Sequence, residues 1–289
     1  MPDAKLEIAV LTIKASPHPD GIYPRLLRGI ANVPILLWGQ DFVALKPPER
    51  IEGGFYRGQI LVWTELDPNA PAVNKETLEA VTLDEAGVHI GSNTGINLRV
   101  FLYVLRERDH LIFYEQRNET GHHLGPYRLM KPFEKLFYDI NSRGEMTVDV
   151  DVVPEEDALE KVLAISRIGI LEIHLKKPNA DDNTPDAAEI MQELEEQGAH
   201  KKDIKLKASD PKKGITPNAR TRVEAEAAAE NGYVKATGKE GGKKVVRSTE
   251  EYPKVITTIL PALASARNVL FQIAKDTIFR RRRPRGPSA

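Results

Sequence analysis

The chain has 289 residues, 41% of them apolar, with a mean hydropathy of −0.38 and a formal net charge of −1. This is the composition of a folding chain with room for one large domain or two ordinary ones. It holds no cysteine, which excludes disulfides, thiolate metal sites and cysteine nucleophiles. The opening MPDAKLEIAVLTIK lacks the basic segment, apolar run and small-residue cleavage site of a secretory leader, and no stretch reaches the ~18 apolar residues that cross a bilayer. The expectation is a cytoplasmic chain that does not itself span a membrane.

The first half reads as strands. KLEIAVLTIK (Lys5 to Lys14) alternates in part, and PILLWGQDFVAL (Pro34 to Leu45) and GQILVWTEL (Gly58 to Leu66) are apolar and rich in β-formers. Two further runs, Leu98 to Leu105 and Leu111 to Glu115, are joined by the short polar RERDH, as in a hairpin. A first helix starts at Pro24, a residue tolerated at the first helical position. A second is expected within GPYRLMKPFEKLFYDI, broken or restarted at Pro132.

From Met146 strands and helices alternate. MTVDVDVV is a strand with Val148, Val150 and Val152 on one face, and PEEDALEKVLA is a short helix opened by Pro154. IGILEIHLK is the next strand. Thr184, Pro185 and Gly198 cap, open and close TPDAAEIMQELEEQG. DIKLKA is a strand, TPNARTRVEAEAAAENG a helix, and GYVKATG with KKVVRSTE a hairpin around Gly241-Gly242. A closing helix is expected from Pro253 to Phe279, because Ile256, Ile259, Leu263, Ala266, Leu270 and Ile273 recur at alternating spacings of three and four. That stripe either packs on the chain's own sheet or forms a homodimer contact.

The resulting fold class is α+β. A β-rich N-terminal domain spans residues 1–144, a two-layer α/β domain of ferredoxin-like or swivel type with a long C-terminal helix spans 145–279, and a flexible arginine-rich tail spans 280–289.

Catalytic signals are sparse. Asp149, Asp151 and Glu172 stand on neighbouring predicted strands, as the carboxylates of a metal-dependent nuclease would. The lysines after Glu172 are Lys176 and Lys177, so the Glu-x-Lys of that chemistry is missing. His122 and His123 are adjacent, and adjacent side chains on an extended chain diverge. The glycine-rich turns precede no phosphate-binding loop. No catalytic residue, metal ligand or cofactor is assigned.

The charge distribution carries more. Residues 1–198 hold 20 basic against 33 acidic residues, and 199–289 hold 21 against 9. Alternation puts Lys205 and Lys207 on one strand face and Ile204 and Leu206 on the other. Lys201, Lys202, Lys212 and Lys213 flank that strand, Arg220 and Arg222 open the next helix, and Lys243, Lys244 and Arg247 lie on the last hairpin. With Arg280, Arg281, Arg282, Arg283 and Arg285 they form a candidate nucleic-acid surface. Duplex phosphates about every 1.7 Å of axis reward such an array through counterion release. Aromatic residues are scarce among them, Tyr233 and Tyr252 being nearest, which favours duplex DNA over stacking on single strands.

The run LRVFLYVLRERDHLIFYEQ, then HHLGPYRLMKPFEKLF, TVDVDVV with its helix, DIKLKA, NGYVKATGKEGGKKVVRSTE and the closing helix resembles the order of elements in the RexA proteins of temperate-phage exclusion and the KwaB proteins of bacterial phage defence. The resemblance covers residues 50–280, leaves out the arginine tail and contains no signature motif. It implies a β-rich domain joined to a mobile α/β domain, a homodimer, and double-stranded DNA binding without base preference. It also implies a two-component antiviral system whose other member is a membrane protein encoded nearby. No catalytic residue follows from it. A metal-dependent nuclease effector and a protein-interaction component are the alternative readings.

Overall fold

A computed structural model describes residues 4–67, 69–91, 93–140, 146–177 and 185–278. The first part of the chain forms β1 (Ala4–Ser16), α1 (Ile22–Gly29), β2 (Ile35–Trp38), β3 (Asp41–Leu45), β4 (Glu49–Arg50), β5 (Phe55–Thr64), β6 (Ala72–Val73), β7 (Ala80–Val81), β8 (Ile96–Arg106), β9 (Leu111–Arg117) and α2 (Pro126–Ile140). It continues through β10 (Thr147–Val152), α3 (Ala158–Leu163), β11 (Arg167–Lys176), α4 (Pro185–Glu196), β12 (Lys201–Lys207), α5 (Ala219–Glu230), β13 (Gly232–Glu240), β14 (Lys243–Ser248), β15 (Val255–Leu260) and α6 (Ala266–Asp276). Among the described residues no helix is long and apolar enough to cross a membrane.

The large sheet has nine strands, ordered β10-β1-β9-β8-β5-β3-β2 with β15 also on β1 and β4 also on β5. Its centre explains the incomplete alternation of β1. Ala9, Leu11, Ile13 and Ala15 enter a core shared with Tyr23 and Leu27 of α1 and Phe133 and Phe137 of α2. Leu6, Ile8 and Val10 enter the opposite core, with Phe113 and with Leu270 and Ala274 of α6. A strand covered on both faces reads as a continuous apolar run. One edge of β1 is shared between two partners: Ala4 to Ala9 pair with β15, and Leu11 to Ser16 pair with β10.

Three expectations are corrected here. The stretch Pro253 to Phe279 is not one long helix. β-branched VITTIL takes up the free edge of β1, and α6 begins only after Ser265. Leu270, from the expected stripe, packs in the chain's own core. Secondly, α2 runs through Pro132 without a break. A proline inside a helix costs about 3 kcal/mol, but Leu129, Phe133, Leu136 and Phe137 are buried on that helix at about 1.5–3 kcal/mol each. Thirdly, β10 and β15 belong to the large sheet, so the boundary expected at 144/145 does not separate the two sheets.

The small sheet has the order β12-β11-β13-β14, antiparallel throughout. Its β-α-β-α-β-β connection differs from the β-α-β-β-α-β of a ferredoxin-like unit. Leu171, Ile173, Val234 and Ala236 pack with Leu159 and Val162 of α3, Ile190 and Leu194 of α4, and Ala225 and Ala228 of α5. Gly232 lets β13 enter beside β11. Its φ is +140°, and a Cβ there would stand 2.0 Å from the His174 carbonyl oxygen.

Candidate nucleic-acid interface

Strand alternation decides what the small sheet shows to solvent. On β12, Lys201, Asp203, Lys205 and Lys207 are exposed while Lys202, Ile204 and Leu206 turn towards the helices. Register then aligns Lys207, Ile170, Thr237 and Val246 in one row, and Lys205, Glu172 and Lys235 in the next. In a third row His174 stacks on Tyr233, ring centroids 4.2 Å apart and planes 21° apart, and His174 Nδ1 lies 2.7 Å from Asp203 Oδ1. All the helices of this unit pack on the other side. Val246 stays 42% exposed.

The predicted cations divide into two groups. Arg220, Lys202 and Arg247 are engaged on or near the helix side. Lys202 Nζ lies 2.7 Å from Glu193 and 3.1 Å from Glu224, Arg220 stands 3.6 Å from the same two carboxylates, and Arg247 meets Glu240 at 2.7 Å. On the open face Lys205 pairs with Glu172, whose carboxyl it holds below the usual range. Lys207, Lys212, Lys213, Arg222, Lys243 and Lys244 are exposed and have no ion-pair partner among the described residues. Lys201 is drawn 3.7 Å from Asp149. Arg280 to Arg283 and Arg285 lie outside the described residues.

Most of the unpaired cations gather at one end of the small sheet. Lys207 ends β12, Lys212 and Lys213 sit in the loop that returns to β11 through the 2.8 Å bond from Ile215 N–H to the Ile168 carbonyl, and Lys243 and Lys244 begin β14. Register brings two further cations there, Arg167 and Lys239, which oppose each other on β11 and β13, with Lys239 also facing Lys244. Sequence reasoning missed Arg167, Lys235 and Lys239. The alternation Tyr233-Val-Lys235-Ala-Thr237-Gly-Lys239 was the signal for the last two, while Arg167 depends on strand register.

The other end of the small sheet meets the large one. There Lys176 Nζ lies 2.7 Å from Asp151, 3.6 Å from Asp149 and 3.4 Å from Glu134, Lys14 Nζ lies 3.1 Å from Asp151, and His200 Nε2 lies 2.6 Å from Asp149 Oδ2. Lys14 also donates to the Glu230 carbonyl. Burial raises the Asp149 carboxyl, but the His200 hydrogen bond and the Lys176 charge outweigh it and bring the pKa to about 2. Burial disfavours the charged Lys176 ammonium, yet Asp151 and Asp149 shift its pKa upward. Asp149 and Asp151 are therefore matched by lysines and a histidine, with Lys176 shared between them, while Glu172 pairs with Lys205, so each of the three carboxylates expected of a nuclease is held in an ion pair. Among the described residues no three or more His, Asp or Glu side chains group as metal ligands would.

His122 and His123 diverge as expected, the first to Thr120 Oγ1 at 2.8 Å and the second to Gln116 Nε2 at 3.0 Å. Glu115 is buried where β9 leaves β8, and its Oε2 accepts the Leu102 N–H at 2.7 Å in place of a backbone carbonyl. Oε1 has no hydrogen-bond partner among the described residues, and burial pushes the carboxyl up to about 7.

No curated protein matches the chain. One family, described as a domain of unknown function, matches residues 4–275. With nearly the whole length matched, this chain belongs to the DUF4747 family.

Proposed function

We propose that the chain is a non-enzymatic protein that binds nucleic acid without sequence preference, gripping the phosphate backbone with the basic end and open face of the small sheet. The observation that carries this reading is the gathering of Arg167, Lys207, Lys212, Lys213, Lys239, Lys243 and Lys244, none of them ion-paired among the described residues. Paired lysines contribute little net field, whereas unpaired ones release condensed counterions when they meet phosphates. Six of these seven cations are lysines, compact point charges that meet phosphates in any sequence, which supports affinity for the backbone over base readout. The resemblance to the RexA and KwaB proteins extends the proposal to a role in phage exclusion or defence. In that role a homodimer would be the binding unit and a membrane protein encoded nearby the partner. Fluorescence anisotropy with two unrelated labelled sequences of equal length tests the reading. Equal, measurable affinities are expected, and absence of binding to both or a strong preference for one contradicts it.

A further inference from the structure

The basic end accounts for phosphate contacts, but the rest of the open face is not what a duplex requires. Between the lysine-bearing outer strands the central strands present Ile170, Thr237, Glu172 paired with Lys205, and the stacked His174–Tyr233 pair with Asp203 on its histidine, and Val246 is exposed beside them. Bases in a duplex are stacked on one another and sheathed by the backbone, so their faces cannot reach such a surface. Unstacked bases can, and base-on-aromatic stacking combined with a cationic groove is the chemistry of single-strand binding.

Spacing supports the same ligand. Thr237, Lys235 and Tyr233 follow one another on the same side of β13, about 6.8 Å apart because side chains on one face recur every second residue. A strand of nucleic acid held by phosphates at Lys239 and Lys207 can continue along β13 past Lys235 and place a base at Tyr233. Helices cover the opposite face, so this face is the one that can accept a ligand.

We infer that the open face takes single-stranded nucleic acid, DNA or RNA, in preference to duplex, with phosphates on the flanking lysines and a base stacked at Tyr233. The inference rests on the phosphate-binding reading above and names its substrate class. It reverses the preference for duplex that the scarcity of aromatic residues in the basic segments suggests, because pairing of β11 with β13 brings His174 to Tyr233.

The test is anisotropy of the full chain with labelled oligo-dT, oligo-U and a mixed-sequence duplex at equal ionic strength. Both single strands are expected to bind about tenfold tighter than duplex. Tyr233→Ala is expected to weaken single-strand binding about tenfold and leave duplex binding unchanged, while Tyr233→Phe, which keeps the ring, retains wild-type affinity. Oligo-dT and oligo-U differ in the 2′-hydroxyl and in the thymine methyl, and tighter binding of either one than of duplex supports the inference. Duplex bound as tightly as the single strands, or equal losses on all probes from Tyr233→Ala, would overturn the inference while leaving phosphate binding intact. Failure of every probe to bind would overturn both.

Discussion

Lys176 Nζ stands 2.7 Å from Asp151 Oδ1 and 3.6 Å from Asp149 Oδ1, so one ammonium from the small sheet bridges two buried carboxylates of the large one. Breaking a buried ion pair from one side leaves uncompensated charge and costs several kcal/mol, more than the intact pair contributes. Lys176→Met should therefore lower unfolding free energy by about 3 kcal/mol in urea denaturation at neutral pH. A loss below about 0.5 kcal/mol, the usual range of surface substitutions, would mean that Lys14 and His200 suffice.

Asp149 gives this junction an acid limit. Its folded pKa of about 2 lies below the ordinary carboxylate value, so its stabilisation is fully present above about pH 4 and disappears as pH falls towards 2. Across that window wild type should lose stability relative to Asp149→Asn. Parallel pH curves for the two proteins would argue against the pairing with His200 and Lys176.

Glu115 works with the opposite sign. Burial raises its folded pKa to about 7, so the fold favours the protonated acid. Its contribution is fully present below the unfolded value near 4.5 and is lost as pH rises through 7. Glu115→Gln retains an acceptor for the Leu102 N–H and cannot ionise. The variant should gain on wild type by roughly 2–3 kcal/mol between pH 5 and pH 8, read as a widening difference in Tm. A difference independent of pH would contradict the raised pKa.

Cations of the two groups should behave differently. Replacing Lys207, Lys239 and Lys244 together by Gln removes phosphate contacts and should flatten the slope of log affinity against log salt by about 2 to 3. Arg220→Gln, which removes a cation already facing Glu193 and Glu224, should leave affinity and slope unchanged. An equal effect at Arg220 would mean that charge anywhere on the unit suffices.

Most elements were legible in the sequence because their signals are local. β-branched runs, the Pro185 helix start and the Gly241-Gly242 turn each act within a few residues. What was not legible depends on distant partners. Ile256 and Ile259 fit a helical stripe, yet β1 leaves an edge that only a strand can fill. Pro132 reads as a break until the core around Phe133 and Phe137 is seen to outweigh it. The interface shows the same division. Alternation in β12 correctly exposed Lys205 and Lys207, but whether each cation is free depends on side chains far along the chain, such as Glu172 beside Lys205. Tyr233 counted as an isolated aromatic until β11 placed His174 against it.

The most direct test of phosphate binding by the small sheet is the affinity of the wild-type chain for a random-sequence oligonucleotide, measured from about 50 mM to about 300 mM salt. The expected result is measurable binding at low salt that weakens steeply, with several counterions released per complex. Binding undetectable at the lowest salt, or insensitive to salt across the series, would contradict it.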